Sequence, residues 1–243
     1  MPENQPSPRD DLRLYRFGKR AHICDLVHDG RLCLNPATTY ANNALPMGAF
    51  DPGELELVQT MPQGTRFEVF SRDGRPKGTL NTIGSIRATS KLETNYYVFC
   101  MSYRYGVDQY TRFDADTCLV FTDPDRFINQ ACKAIMRRLP GWAVDAGTVW
   151  YHSADNFFSL RPLRQDIYYN KPLQNYPQNE IRIVCSPPRS EFTYELERLF
   201  VLIGDLHGYT FLASAEYPDR LIESEHSQAW GSPVSCGSRF GRF

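Results

Sequence analysis

The stretch YPQNEIRIV, residues 176–184, joins a polar opening to an alternating apolar run. Ile181 and Ile183 fall on one face of the predicted strand, because successive side chains of a strand point to opposite faces. By the same alternation, Gln178, Glu180 and Arg182 share the other face. Glu180 is therefore either a polar residue at the mouth of an ordinary strand or a carboxylate held at a strand end for chemistry.

Similar patterns predict the other strands and helices. Ile23, Leu26 and Val27 recur at helical spacing in a segment that stops at Gly30. A second helix is predicted over 123–139, where an Asp-Pro pair supplies the N-cap and the first helical residue. The predicted strands are LRLYRF (12–17), RLCLN (31–35), TRFEVF (65–70), LNTIGSIRAT (80–89), NYYVFCMSY (95–103), TCLVFT (117–122), GTVWYH (147–152) and EIRIVCS (180–186).

Two regions lack a regular period. Residues 41–63 contain recurrent Pro, Gly and Asn and are predicted to form a long irregular excursion. SRDGRPKG (71–78) is predicted to be the turn of a hairpin. A count of about eight strands and two or three helices, without regular strand-helix alternation, predicts an α+β fold with mainly antiparallel sheets.

Composition places the chain among ordinary globular proteins. The 243 residues are 42% hydrophobic and 23% charged, and their net charge of -1 gives no overall attraction to polyanions. A nucleic-acid contact would therefore require a local patch. We expect a disordered leader over residues 1–11 and a single domain over 12–243.

The sequence favours a protein without membrane contact. It contains no run of 18 apolar residues, and its N-terminus has Pro and charge where a signal peptide needs an apolar segment. These features predict a cytoplasmic protein or one delivered into a target-cell cytosol. Seven scattered Cys, without metal-ligand spacing, predict reduced buried residues and no metal site.

Common catalytic motifs are missing from the sequence. Dinucleotide-binding, P-loop, zinc-protease and nucleophile-elbow patterns do not occur. Cys100 could form a nucleophilic pair with a His, although its place inside YVFCM favours burial. Asp114, Asp116 and Asp123 could hold a metal in a nuclease, although their surroundings are typical of a turn and a helix cap.

Three signals at strand ends remain: Tyr15-Arg16, Ser102 and Gln178-x-Glu180. In this order they resemble the ADP-ribosyltransferase superfamily, whose members carry Arg or His on a first strand, a Ser motif and a (Gln/Glu)-x-Glu motif. The resemblance implies a split, two-sheet β core with flanking helices. It also implies that NAD is the substrate.

More narrowly, the chain resembles a family of bacterial domains of largely unassigned function. The shared features are LYRF (14–17), GRLCLNP (30–36), CMS (100–102) and NKPLQNYPQNEIRIV (170–184). ANNALPMGAFDPGE (41–54) is a looser match to that family, and YGVDQYTRF lacks its Trp. The SRDGRPKG hairpin is an expected private insertion.

The resemblance assigns roles around NAD. Glu180 would stabilise the oxocarbenium-like ribosyl cation, a role that carboxylates also fill in glycosidases. Arg16 would bind the pyrophosphate, since a guanidinium offers a planar charged fork. Ser102 would position Arg16 or Glu180. Gln178 would point at the incoming nucleophile. The remaining cofactor-binding residues are Tyr15, Asn35 and Tyr103, and either Tyr103 or Tyr97 could stack on nicotinamide.

Acceptor recognition is predicted just before the Gln-x-Glu strand. Tyr168, Tyr169, Lys171 and Tyr176 could grip an extruded base, although a surface loop anchored by Tyr packing explains them equally well. Gln178 favours a nucleobase or a side chain other than arginine. Arg161 and Arg164 add positive charge to this segment.

The leading hypothesis is a mono-ADP-ribosyltransferase that acts on RNA, DNA or protein as a bacterial toxin or phage-defence effector. A neutralising antitoxin or immunity protein is a possible partner. The alternatives are a non-catalytic module that binds a nucleotide or partner on the same fold, and the metal-dependent nuclease.

Overall fold

The computed structural model describes residues 13–41, 45–46, 49–51, 53–153, 167–188 and 195–215. They form an α+β structure whose strands pair almost entirely in antiparallel fashion. The predicted leader, residues 1–11, lies outside the described residues. The helices are α1 (Arg20–Asp29), α2 (Val107–Arg112) and α3 (Pro124–Arg138), with 3₁₀ helices at Ala37–Ala41 and Leu173–Gln178.

The described residues contain fourteen strands. They are β1 (Leu14–Gly18), β2 (Arg31–Pro36), β3 (Glu56–Met61), β4 (Arg66–Phe70), β5 (Pro76–Asn81), β6 (Ile86–Lys91), β7 (Tyr97–Ser102), β8 (Thr117–Phe121), β9 (Ala143–Thr148), β10 (Trp150–His152), β11 (Asn170–Pro172), β12 (Glu180–Ser186), β13 (Leu199–Leu202) and β14 (Thr210–Ser214).

The main sheet branches at β7. On one side of β7, β12 pairs along its length, with Glu180 opposite Ser102. On the other side, β2 pairs at the start of β7, where Asn35 lies opposite Val98, and β1 pairs at its end, where Tyr15 also lies opposite Ser102. β1 and β2 therefore diverge from β7 and leave the middle of that strand open between them.

β12 is an interior strand rather than an edge strand, since it lies between β7 and β9. Ile183 packs into the main hydrophobic core, whereas Val184 packs on the opposite face with Tyr96 and Tyr168. Arg182 is 1% exposed. The strand is therefore covered on both faces, so its polar residues must find partners inside the protein.

Two predicted helices cover one face of the sheet. Ile23, Leu26 and Val27 of α1 are buried as the spacing predicts, and Gly30 ends the helix in the left-handed conformation at φ 59°. A Cβ at Gly30 would lie 2.3 Å from the carbonyl oxygen of Gly204, so only glycine fits this contact. The prediction for α1 is confirmed.

α3 begins as the sequence predicts. Asp123 caps the helix by accepting a hydrogen bond from the backbone N–H of Arg126 at 3.0 Å, and Pro124 is the first helical residue. Phe127 then packs on Phe121 of β8, with ring centroids 4.0 Å apart. Phe127 also lies 5.9 Å from Phe99 of β7 between ring centroids, so the helix is fixed against both β7 and β8.

Residues 56–91 form a two-stranded β-ribbon, which we call the ribbon. β3 pairs with β6, and β4 pairs with β5 beyond a junction where Thr65 and Thr82 exchange hydrogen bonds. The hairpin turn at 71–75 is confirmed. The prediction that 41–63 is irregular throughout is wrong, because β3 lies within it.

The prediction of about eight strands was too low. β5 is exposed at all six residues and carries no apolar alternation, so its sequence gives no strand signal. Its strand state depends on pairing with β4. No helix among the described residues is long and apolar enough to cross a membrane.

Candidate functional site

A cavity of about 280 Å³ opens where β1 and β2 diverge. Arg16 of β1, Asn35 of β2 and Ser102 of β7 line it, together with Glu180 at the start of β12. Four strands thus bring predicted residues from distant parts of the chain to one place. The remaining predicted residues at this cavity are Tyr15, Lys171 and Gln178.

Glu180 is a buried carboxylate, 4% exposed. It accepts a hydrogen bond from Arg182 Nε at 2.5 Å and contacts Lys171 Nζ at 2.8 Å. Burial opposes ionisation, but the charges of Arg182 and Lys171 outweigh it and lower the pKa of Glu180 to about 2. The backbone N–H of Glu180 donates to the Tyr151 hydroxyl, so the strand end is also fixed.

Arg182 joins Glu180 to a second carboxylate, Glu54. Two nitrogens of its guanidinium donate to the two oxygens of Glu54, at 2.8 Å and 2.7 Å. The Tyr96 hydroxyl donates to the same carboxylate at 2.8 Å. Burial raises the pKa of Glu54 despite the nearby charges of Arg182 and Lys171. The bidentate geometry fixes the guanidinium plane and, through it, Glu180.

Lys171 completes this group. Its ammonium donates to Gln178 Oε1 at 2.9 Å and forms ion pairs with Glu180 and, at 3.2 Å, with Asp51. Burial opposes the charged form, but Glu180 above all, with other acids, raises the pKa of Lys171. We call Asp51, Glu54, Lys171, Glu180 and Arg182 the buried charge cluster; with every member ionised its net charge is -1.

Gln178 lies at the site, but it is not part of a strand, so strand alternation does not explain its position. It ends a 3₁₀ helix, and Asn179 then adopts the left-handed conformation at φ 45° before β12 begins. The predicted continuous strand over 178–180 is therefore wrong, whereas the shared face of Glu180 and Arg182 is confirmed by their hydrogen bond. Gln178 and Glu180 are brought together by Lys171.

Arg16 lies across the opening between β1 and β2. Its Nη1 donates to the carbonyl oxygen of Cys100 at 2.7 Å, and its guanidinium lies 4.9 Å from the ring centre of Phe99. Cys100 is in the part of β7 that neither β1 nor β2 pairs. Arg16 therefore satisfies a carbonyl that the branched sheet leaves unpaired, and its side chain borders the cavity.

Ser102 and Tyr103 differ in their relation to the cavity. The Ser102 hydroxyl exchanges hydrogen bonds with the backbone of Arg104 at 3.0 Å, and this pairing differs from the expected contact with Arg16 or Glu180. Tyr103 packs against the main core and is outside the cavity lining. Stacking of Tyr103 on a ligand stays a prediction that this placement does not favour.

Most of the predicted acceptor residues are interior. Tyr168 packs on Tyr96 at 4.6 Å between ring centres, Tyr169 lies against Gly147, and Lys171 is only 5% exposed. Tyr176 is different, since 53% of it is exposed. Of the predicted acceptor-binding residues, only Tyr176 is therefore exposed enough to contact an acceptor at the surface. Arg161 and Arg164 lie outside the described residues.

A second cavity, of about 350 Å³, continues the first. Arg16, Asn35 and Arg198 border both cavities, and Arg31 lines the second. Arg31 is paired with Asp25 at 2.7 Å, whereas Arg198 is an exposed residue preceding β13. The cleft thus carries guanidinium groups along its length, as a binding site for phosphates requires.

Several site residues were missed by the sequence analysis. Tyr40 borders the cavity, where its hydroxyl accepts a hydrogen bond from Asn35 at 3.3 Å. Asp51 and Glu54 lie in the segment 41–54, which matches the bacterial family only loosely, and Arg198 lies in a segment without a motif. Only Arg182 had a usable signal, since alternation in IRIV places it on the face of Glu180.

The alternative chemistries gain little from the structure. Burial foremost, with the negative charge of Glu180, raises the pKa of Cys100, so its thiol stays protonated. Asp123 is a helix cap, and Asp114 is paired with Lys19 at 2.9 Å. Across the described ranges no three His, Cys, Asp or Glu side chains are grouped to hold a metal.

Comparisons with protein-family models, curated proteins and solved structures gave no match to this chain.

Proposed function

We propose that this protein is a mono-ADP-ribosyltransferase that cleaves NAD and transfers ADP-ribose to a macromolecular acceptor. The acceptor is a nucleobase or a side chain other than arginine. The observation that carries the proposal is that Arg16, Ser102 and Glu180, which share the order of the superfamily motifs, border one cavity. The branching of the sheet between β1 and β2 agrees with the split core that the resemblance implies.

Glu180 supplies the electrostatic part of the reaction. The bond between ribose C1′ and the nicotinamide nitrogen breaks, and its electron pair leaves with nicotinamide, which becomes neutral. The acceptor nucleophile forms the new bond to C1′ and loses its proton. A carboxylate held ionised by Arg182 and Lys171 stabilises the positive charge that develops on the ribosyl group.

Arginines supply the contacts to phosphate. Arg16 borders both cavities, and Arg198 enters the same cleft from the segment before β13. Guanidinium groups on two sides of the cleft can bind the pyrophosphate of NAD in a bidentate manner. Asn35 and Tyr40 line the same cavity, where they can donate to ribose hydroxyls.

Lys171 and Gln178 position the reacting groups. Lys171 fixes Glu180 and Gln178 through one ammonium, so the carboxylate and the amide stay at a constant separation. Gln178 then faces the acceptor, and Tyr176 at the surface contacts it. A toxin or phage-defence effector with this activity acts on an acceptor inside its target cell, and a neutralising protein would protect the producer.

The test is incubation of the purified protein with NAD labelled on the adenylate, with cell extract as the acceptor source. Nicotinamide release and label transfer are expected for the native protein, and both should fall by at least 100-fold in Glu180→Gln. Glu93→Gln is the matched control, because it makes the same chemical change at an exposed site. Transfer that survives Glu180→Gln in a folded protein contradicts the assignment.

A non-catalytic nucleotide-binding module is the second candidate. It is favoured by one observation: both oxygens of Glu180 already contact cations of the buried charge cluster, as in a structural ion pair. Calorimetric binding of NAD without nicotinamide release would support this candidate over the transferase. Metal-dependent cleavage of nucleic acid without NAD would contradict both.

A further inference from the structure

The outer part of the ribbon is strongly exposed. All six residues of β5 are exposed, and Leu80 and Ile83 are 63% and 94% exposed. Contiguous exposed apolar surface on a protein commonly marks an interaction site. The proposed transfer reaction makes no use of this surface.

The charge of the ribbon is opposite to that of the rest of the protein. Residues 56–91 contain six Lys and Arg against three acids, a net charge of +3. Since the whole chain has a net charge of -1, the remaining residues carry -4. The ribbon is therefore net positive while the rest of the chain is net negative, so an anionic partner would be attracted to the ribbon.

Two of the three acids are already paired within the ribbon. Glu56 is paired with Lys91 and Asp73 with Arg75, each at 3.2 Å. The other cations have no acidic side chain within ion-pair distance among the described residues. They are Arg66, Arg72, Lys77 and Arg87.

The cations occupy positions suited to a groove. In the hairpin of β4 and β5, Arg66 lies opposite Asn81. Its side chain is on one face of the hairpin, and those of Phe67 and Leu80 are on the other. Arg72 is in the exposed turn, and Arg87 faces solvent from β6. The positive charge therefore extends from the turn toward the base of the ribbon, whereas a protein-binding surface usually has a centre poor in charge.

We propose that the ribbon binds duplex DNA. The major groove of B-DNA, about 12 Å wide, admits a two-stranded β-ribbon, whereas the major groove of duplex RNA is too deep and narrow for side chains to read. Each strand of its two paired segments, β3 with β6 and β4 with β5, has five or six residues and is about 20 Å long at about 3.3 Å per residue, which is about half a turn of the double helix. Arg66, Arg72, Lys77 and Arg87 contact phosphates and base edges.

DNA binding by the ribbon does not depend on NAD. The narrower statement, that bound DNA is the acceptor for ADP-ribose, rests on the proposed function. The two can fail separately, because binding is measured without NAD and transfer is measured without reference to the ribbon. Loss of transfer with intact binding would overturn only the proposed function.

The experiment is fluorescence polarisation of a labelled 20-base-pair DNA duplex, titrated with the full chain at several salt concentrations. The variant replaces Arg66, Arg72 and Lys77 by Gln. The matched control replaces Lys133, Arg137 and Arg138, three exposed cations of α3, by Gln, which changes the net charge equally. Circular dichroism checks that both variants stay folded.

The expected result is at least tenfold weaker binding by the ribbon variant at about 100 mM salt, with native affinity in the control. The slope of log Kd against log salt should decrease by about 2 to 3, since each lost phosphate contact removes about 0.9. Equal losses in both variants, or no binding by the native protein, overturn the proposal. Tighter binding of single strands or duplex RNA also overturns it.

A protein partner is tested in parallel by Leu80→Ser, which removes the exposed apolar side chain without changing charge. DNA binding is expected to fall less than threefold in this variant. Concentration-dependent self-association of the native protein that Leu80→Ser abolishes, together with unchanged DNA affinity in the ribbon variant, would identify the surface as a contact between copies and overturn the DNA proposal.

Discussion

The buried charge cluster and the tip of the ribbon use the same chemistry in opposite surroundings. In the cluster, Arg182 is 1% exposed and binds two carboxylates. At the tip of the ribbon, the hairpin turn at residues 71–75, Arg75 pairs with Asp73 while both side chains are mostly exposed to water. Water screens the charges of Arg75 and Asp73 and can hydrogen-bond to either side chain if their contact breaks. The buried charges around Arg182 are not screened in this way and have no water to replace a lost partner. The comparison indicates that burial, more than the number of ion pairs, decides what each charge contributes.

The largest expected effect comes from removing Arg182. Arg182→Met leaves Glu54 and Glu180 without their shared partner in the interior, so the free energy of unfolding should fall by about 3–5 kcal/mol. Urea denaturation followed by circular dichroism measures it, and Arg75→Met at the tip should leave the midpoint unchanged. If Arg182 and Glu54 are coupled, adding Glu54→Gln to Arg182→Met should restore part of the lost free energy of unfolding. If the losses caused by the two substitutions simply add, the two residues are not coupled.

Acid should weaken the cluster before the tip. The pKa of Glu180 is lowered from 4.5 to about 2, so its contribution is complete above about pH 4.5 and is lost as the pH falls toward 2. This shift corresponds to on the order of 3 kcal/mol. Glu54 has the opposite sign, since its raised pKa favours the protonated form, and it offsets part of the loss.

Urea midpoints between pH 6 and pH 2.5 measure this acid limb. Glu180→Gln should make the limb shallower, whereas Glu93→Gln at an exposed site should keep the native slope. A native slope in Glu180→Gln would show that this carboxylate does not control the acid stability of the cluster.

An exposed carboxylate contributes more to stability when it accepts a hydrogen bond from the backbone than when it pairs with an exposed side chain. Asp123 accepts from the N–H of Arg126 at the start of α3, so Asp123→Ala should cost about 1 kcal/mol. Asp125→Ala, which removes an acid from the same first turn but no cap, should cost less. Thermal unfolding compares the two, and equal losses would assign the effect to the helix dipole instead of the cap.

The smallest effect is expected at the tip. Asp73→Asn removes the carboxylate paired with Arg75, and the melting temperature should not change beyond experimental error. The pKa of Asp73 is lowered first by its hydrogen bond to Ser71, which the amide can replace in part. A loss that disappears in 1 M salt would show that the exposed pair is stronger than the comparison allows.

Strong local patterns made much of the fold predictable. The buried face of α1, the Asp-Pro start of α3 and the alternation of β12 each depend on neighbours within a few residues. The same alternation placed Glu180 beside Arg182, and the hydrogen bond between them confirms it. The structure of these segments is therefore predictable from residues close to them in the sequence.

The rest depends on contacts between distant residues. Glu54 lies in a segment that matches the bacterial family only loosely and has no regular period, and its partner Arg182 is 128 positions away. Lys171 was expected at the surface because Lys is seldom buried, yet three acids and Gln178 surround it. Alternation also failed for Gln178, because Asn179 turns the chain before β12 begins.

The position of β12 also sets when the cavity can form during synthesis. Arg16 and Cys100 can meet early, although they are 84 positions apart, because β1, β7 and β8 precede α3 in the chain. The carboxylate side of the cavity waits until β12 leaves the ribosome and inserts between β7 and β9. At about 5–20 residues per second, several seconds pass between the synthesis of β7 and that of β12. The Arg16 side of the cavity is therefore present in the growing chain before its carboxylate side, which is added with β12.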